Sequence, residues 1–404
     1  MTDPIAFLQK LIQIDSANGN ELAVARVLQA ELEAADIPTK LIPYKDDRVN
    51  LVAQLNHGDR VLGFTGHEDV VSPGDENAWT YPPFSGKIVN NTMYGRGTDD
   101  MKSGLAAMTL ALIHLKQSGF AHPLRFMATV GEEFGAMGAR QLTEQGYADD
   151  LAGLVVGEPT NKLLKYAHGG TVNYEIDSEG VSVHSSRPEK GVNAIEGLVA
   201  FSTREPHAFD QAPDDPDLGP FRHSITVIKG GDQVNTIPAH AYLRGNLRPT
   251  PAANIELVVG LLEKLVDQAN KATAANLTLN VLHRFLPVHS DKNGHLVTTA
   301  NEAIAAVTGK PAELAVAFGG TDASEFIRSD NQFDVIVYGP GDNHFSHQID
   351  EHLDLDSYTT AIFCLKLKSA TYGSVNNLFQ KSKAAESLSL TRLLFLRCEK
   401  SQHD

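Results

Sequence analysis

Four apolar runs in this chain each end in a histidine or a carboxylate. Val61–Thr65 leads to Gly66-His67-Glu68-Asp69, Leu124–Val130 to Gly131-Glu132-Glu133, Leu151–Val156 to Gly157-Glu158-Pro159-Thr160, and Val335–Tyr338 to His344-Phe345-Ser346-His347. A fifth corner, GRGTDDMKSG at Gly95–Gly104, places Asp99 and Asp100 after a Gly-Arg-Gly turn and before the apolar run Leu105–Leu115. In open α/β sheets, sites form outside the carboxyl ends of the strands. Imidazole and carboxylate donors without cysteine suit a catalytic rather than a structural zinc site. Two divalent ions about 3.5–4 Å apart need a shared anionic ligand, and Asp100 fits that place. His67 with Glu158 would complete one ion's shell, and His347 with Glu133 the other's. The pair would favour ionisation of a shared water at neutral pH.

Such a water still needs a proton acceptor. Glu132 is the candidate general base: on an extended segment it would face away from Glu133, so one could ligate while the other meets substrate. Like charges nearby should raise its pKa, and cations oppose this. Asp69, two residues after His67, could accept from the imidazole N–H and orient the ring. His344, His347 and His352 cluster at the last corner, and register alone must select among them.

The elements that would position these residues follow from the apolar periodicity. Ile5–Ile14 and Glu21–Ala35 read as amphipathic helices, and Thr39–Pro43 and Val49–Leu55 as short strands. Val61–Thr65 has the continuous apolar character of a strand covered on both faces. Leu105–Gln117, Leu124–Val130, Ala136–Gln145 and Ala152–Val156 then alternate helix and strand, which predicts an α/β fold with a largely parallel sheet. From Thr171 the order becomes strand, helix, two strands, helix, strand: Thr171–Asp177, Asn193–Ser202, Ser224–Lys229, Ala241–Leu247, Ile255–Ala272 and Leu277–Leu282. That is the ferredoxin-like order. We therefore divide the chain into a catalytic domain built from 1–169 and 287–370, an inserted α+β domain at 170–286, and a tail at 371–404. His295–Val307, Asp322–Arg328 and Asp356–Lys368 are expected helices, with Asp334–Tyr338 a returning strand.

At 404 residues two domains are the default. No apolar run has the length of a membrane span, and MTDPIAFLQK lacks the basic start of a secretory signal. Cys364 and Cys398 are the only cysteines, too few for a disulfide framework. The expectation is a cytoplasmic protein. A formal charge of -16 argues against nucleic acid or an anionic membrane as the main partner. The tail departs from the rest: Lys381, Lys383, Arg392, Arg397 and Lys400 make it basic, and it contains the apolar stretch Leu388–Leu396. It reads as a partner-binding segment or a readthrough extension.

Taken together, GHEDVV, GRGTDDMKSG, GEE, GEPT, HSSRPEKGVNAI, NTIP, FGGTDASEF and the run His347-Gln348-Ile349-Asp350-Glu351 resemble the dinuclear zinc amidohydrolases. That family includes acetylornithine deacetylase, succinyl-diaminopimelate desuccinylase, aminoacylase and the glutamate carboxypeptidases. The resemblance runs from about Ile5 to Lys368 in conserved motif order. It implies a zinc-peptidase-like catalytic domain with an inserted lid and dimerisation domain, and two divalent ions, zinc with cobalt or manganese as alternatives. By the same resemblance His67, Asp100, Glu133, Glu158 and His347 are metal ligands, and Asp69 and Glu132 the catalytic pair. Asp100 is preferred to Asp99 because the family's acid directly precedes Met-Lys, and His347 because it opens H-x-x-[ND]-E.

His184 matches a lid histidine that reaches the neighbouring subunit's site to stabilise an oxyanion, which implies a homodimer. Arg248, Asn235 and the turn Gly319-Gly320-Thr321 match contacts to a substrate carboxylate. The implied substrate is a small N-acyl amino acid with a free carboxylate. N-succinyl-L,L-diaminopimelate, of lysine biosynthesis, is the first choice; acetylornithine, a general acyl amino acid and a dipeptide stay open. A silent binding protein on the same fold is the alternative of another class, and the presence of Glu132 beside all five ligand candidates speaks against it.

Overall fold

The computed structural model describes residues 2–366. The basic tail at 371–404, with Cys398, lies outside the described residues.

A nine-stranded mixed sheet forms the main body. At its centre Leu124–Thr129, Val61–His67, Leu151–Pro159 and Asp334–Gly339 lie side by side and parallel. Every residue of Val61–His67 is buried, as a strand covered on both faces requires. Outside this centre the pairing is mixed: Thr39–Lys45 and Arg48–Leu55 run antiparallel at one margin, and at the other Leu164–His168 is antiparallel to Asp334–Gly339 and Val288–His289 but parallel to Leu314–Ala317. The long helix Lys102–Gln117 crosses the sheet and is buried along nearly all its length. It comes so close that a Cβ on Gly104 would sit 2.0 Å from the carbonyl oxygen of Gly157. Only glycine fits there, which accounts for the last residue of the GRGTDDMKSG stretch.

The inserted segment forms its own four-stranded antiparallel sheet. Thr171–Glu179, Arg222–Gly230, His240–Arg248 and Asn276–Phe285, counted one to four, take the spatial order 4-1-3-2, which is the ferredoxin-like arrangement. Helices Ala194–Ser202 and Ile255–Ala272 cover one face, and their apolar residues build a second core around Tyr174, Phe201, Leu243 and Leu262. The opposite face carries Arg244, Asn246 and Arg248. Among the described residues, no helix is long and apolar enough to cross a membrane.

Several elements escaped the sequence reading. Lys87–Val89, Thr92–Tyr94 and His352–Asp354 make a small three-stranded sheet, whose strands are too short for periodicity to register. Leu164–His168 and Leu314–Ala317 are parallel neighbours. The expected helix Asp322–Arg328 is a single turn, Ala323–Phe326.

Candidate metal centre

Sheet order explains why distant corners meet. Strands 124–129, 61–67 and 151–159 are adjacent and parallel, so their carboxyl ends lie roughly 5 Å apart in sequence of pairing. They deliver Glu132 and Glu133, His67, and Glu158 to one edge. Strand 334–339 lies beside 151–159 and leads to the loop carrying His347. Asp100 arrives from the turn before helix 102–117.

Asp100 lies between the two histidines. Its Oδ1 is 3.0 Å from His67 Nε2, and its Oδ2 is 3.3 Å from His347 Nε2. His67 Nε2 is also 3.4 Å from Glu158 Oε1, and His347 Nε2 is 2.9 Å from Glu133 Oε1. Each histidine thus faces one private glutamate and one oxygen of a shared aspartate. Ligand atoms of His67, Asp100 and Glu133 all fall within 4.8 Å of one another. His67 is sealed in, whereas the His347 side chain is 49% exposed, so the cluster opens to solvent at that end.

The electrostatics match a cation site filled by protons. Burial opposes charge on His67, yet Glu158 and Asp100 hold its pKa well above the ordinary value. Hydrogen bonds to Asp100 and Glu133 push His347 up to about 10. Burial raises the Asp100 carboxyl, but the bonds to His347 and His67 outweigh it and hold the carboxyl below its usual range. Both imidazoles therefore carry protons where the donor set could take divalent cations. The nitrogen and oxygen donors, closely spaced and without sulfur, fit that exchange.

Behind the cluster, two expectations need correction. The carboxylate of Asp69 is 3.7 Å from His67 Nδ1, and the ring's hydrogen bond goes instead to the main-chain carbonyl of Asp69 at 2.9 Å. The Asp69 carboxylate accepts from the amides of Glu132 and Glu133, at 3.2 and 3.3 Å. Glu132–Phe134 is also a 3-10 turn after Gly131, not an extended segment. Asp69 therefore fixes the turn that presents Glu132. Burial raises the Glu132 pKa well above its ordinary value; Glu133 and Glu158 add to this and His67 opposes it.

Sequence reading also missed a brace. Glu351 is fully buried, and its Oε1 accepts from the amides of Gly97, Asp99 and Asp100 at 2.9, 2.8 and 3.1 Å. Its Oε2 pairs with Arg96, whose other nitrogen donates to the carbonyl of His347 at 3.3 Å. Reciprocally, the Asp99 carboxylate accepts from the Asp342 amide and the Ser346 hydroxyl, at 2.7 and 2.8 Å. Acids from each loop are thus tied to the backbone of the other, and Asp100 and His347 sit on the two loops. Glu351 stood inside the quoted H-x-x-[ND]-E run, which was the one available signal. Asp322, another buried acid that went unnoticed, hydrogen-bonds the Thr129 hydroxyl next to the cluster.

Among the described residues, no hydrogen bond or ion pair joins the remaining candidates to the five corner residues. Arg248 is half-buried and donates from Nη1 to Thr171 Oγ1 at 2.7 Å. Thr321 is buried and pairs with His168 Nε2 at 3.1 Å, and Gly320 packs against Phe285. His184 and Asn235 are on the exposed two-stranded ribbon of the inserted segment. His184 Nδ1 lies 2.8 Å from the Ser186 hydroxyl and accepts from the Ser186 amide at 3.2 Å, so Nε2 is the ring nitrogen without a bond within the ribbon. A cavity of about 690 Å³ lies elsewhere, walled by Arg140, His283, Glu325 and Arg328, and includes none of the five. Donor chemistry, not volume, locates the site.

Known proteins share this framework. A probable succinyl-diaminopimelate desuccinylase from Staphylococcus epidermidis is 33% identical over 388 residues, covering 89% of this chain and 95% of the relative. An acetylornithine deacetylase from Photorhabdus laumondii is 31% identical over 331 residues, covering 80% and 82%. The structure superposes on an M20 family metallo-carboxypeptidase from Sulfolobus solfataricus with a TM-score of 0.80 at 16% identity, over 92% of this chain and all of that one. Residues 63–367, which include all five corners, match the model of peptidase family M20/M25/M40; the chain belongs to that family and is a metal-dependent amidohydrolase.

Proposed function

We propose that the chain hydrolyses the amide bond of an N-acyl amino acid, with N-succinyl-L,L-diaminopimelate as the preferred substrate. The observation that carries this reading is Asp100, with one oxygen toward each of two histidines that each face a separate glutamate. His67, Glu158 and Asp100 would hold one divalent cation, and His347, Glu133 and Asp100 a second; zinc suits the donor set. When bound, the cations supply Lewis-acid activation of water and of the amide carbonyl. Glu132, held by the Asp69-bound turn, takes the proton of the attacking water and delivers it to the departing amine. Its raised pKa suits a group that must hold a proton between the two transfers. Arg248, which has no acid partner among the described residues, binds the carboxylate of the amino acid being released.

The choice of acyl group rests on the desuccinylase relatives; the acetylornithine deacetylase relative supports acetylornithine as the second reading. We further assign the inserted segment as a lid and dimer surface, with His184 Nε2–H as an oxyanion donor to a second copy. The deciding experiment is turnover by zinc- or cobalt-loaded protein of N-succinyl-diaminopimelate, acetylornithine, acetyl-methionine and a dipeptide. Turnover of another compound without the succinyl one removes the first choice. A monomer of full activity, or an unimpaired His184→Ala variant, removes the lid assignment.

A further inference from the structure

On the open face of the inserted sheet, two arginines stand directly opposite each other. Arg222 and Arg248 are register partners on the antiparallel strands 222–230 and 240–248, so their side chains leave the sheet on one face. Like charges in that position are destabilising. The same strand shows the usual remedy four residues away on the same face: Arg244 bonds the carboxylate of its cross-strand neighbour Glu175 at 2.7 Å. Arg248 has only the hydroxyl of Thr171. Arg222 has the ring of Phe318, whose centre lies 4.0 Å from its guanidinium carbon. Among the described residues no carboxylate lies within ion-pair reach of either.

One run of chain connects the pair to the body's site. Phe318 begins the run Phe318-Gly319-Gly320-Thr321-Asp322, and Asp322 bonds Thr129, the register partner of His67. Phe318, stacked on Arg222, and Asp322, beside the cluster, are thus four residues apart on a single run. The Gly170 amide, bonded to the Pro249 carbonyl at 2.7 Å, and the Gly169 amide, bonded to Ala317 at 2.9 Å, hold the arginine strand against this run.

Resting on the hydrolase reading above, we infer that Arg222 is a specificity-determining residue: beside Arg248, it selects a leaving amino acid that carries a second carboxylate. Two adjacent guanidiniums without internal acids are matched by two anionic groups, and they repel the side-chain ammonium of ornithine. Arg248 is read above as the contact to the released amino acid, and Arg222 is its register partner, so the second carboxylate belongs to that amino acid and not to the acyl group.

Lysine and diaminopimelate differ by that one carboxylate, and they make the test. Wild type and Arg222→Gln are compared on N-succinyl-diaminopimelate and N²-succinyl-lysine, and calorimetry measures binding of the free amino acids to the metal-loaded protein. The ratio of kcat/KM between the two succinyl compounds should fall tenfold or more in Arg222→Gln, and Arg222→Lys should recover part of it. Wild type should bind diaminopimelate at least tenfold more tightly than lysine, and the variant should lose that preference. An unchanged ratio, or equal binding of the two amino acids by wild type, overturns the inference. Absence of turnover of both succinyl compounds by wild type overturns the substrate reading instead, and the binding comparison then decides Arg222 alone.

Discussion

Glu351 and Asp100 are 251 positions apart, yet the carboxylate of the first accepts the amide proton of the second at 3.1 Å. The same oxygen holds two further amides, and its partner oxygen is paired with buried Arg96. Removing the acid would leave Arg96 buried without its counter-charge. Glu351→Ala should therefore lose about 3–5 kcal/mol of stability, read from the denaturant midpoint. It should also lower the metal content of the protein that remains folded, because Asp100 and His347 hang on the loops it joins. A variant with the wild-type midpoint and full metal content would show that the brace is idle.

Glu132→Gln separates proton transfer from metal holding. The amide keeps the size of the acid and the Asp69-bound backbone of the turn, so metal content should stay at the wild-type level. Turnover should fall by about 10²–10⁴. Elemental analysis beside steady-state rates checks both parts; loss of metal in step with activity would place Glu132 among the ligands instead.

Metal uptake should release protons. His347, pushed up to about 10, and His67, also raised, carry protons at neutral pH in the metal-free protein, and a ligating imidazole must be neutral. Apparent metal affinity should thus weaken as pH falls from 8 to 6. In metal-free protein the sign for stability is opposite. His347 is raised above an unfolded value near ~6.5, so its pairing stabilises fully below that pH and is lost as pH rises through about 10. Calorimetry of zinc binding in buffers of different ionisation enthalpy counts the protons; zero release would refute the proton-filled site.

Gly104→Ala tests the close crossing of helix and sheet. The new methyl would meet the Gly157 carbonyl oxygen at 2.0 Å, a backbone atom that cannot swing aside as a side chain could. Relief requires the helix start to move, and with it the turn bearing Asp100. The variant should lose at least about 1–3 kcal/mol and bind metal less tightly. Wild-type thermal unfolding would mean the helix can shift at no cost.

Local sequence determined the pieces of this protein. Continuous apolar runs that stop at His67, Glu132 and Glu158 are readable because burial on both faces of a parallel strand demands such runs, and polar groups can resume only where the sheet ends. The periodicity of Ile255–Ala272 marked its helix to the residue, since an amphipathic stripe is a property of the segment alone. The strand–helix order of the inserted segment likewise named its topology. Tertiary structure decided what depends on pairing across the chain. It set which oxygen of Asp100 meets which histidine, gave the Asp69 carboxylate to the Glu132 turn in place of the His67 ring, and joined Glu351 to Arg96. Strands 87–89, 92–94 and 352–354 were invisible beforehand because three residues show no period. Arg222 and Arg248 look unrelated along the chain; only antiparallel register sets them face to face, because a strand's partner is chosen by the sheet and not by its own residues.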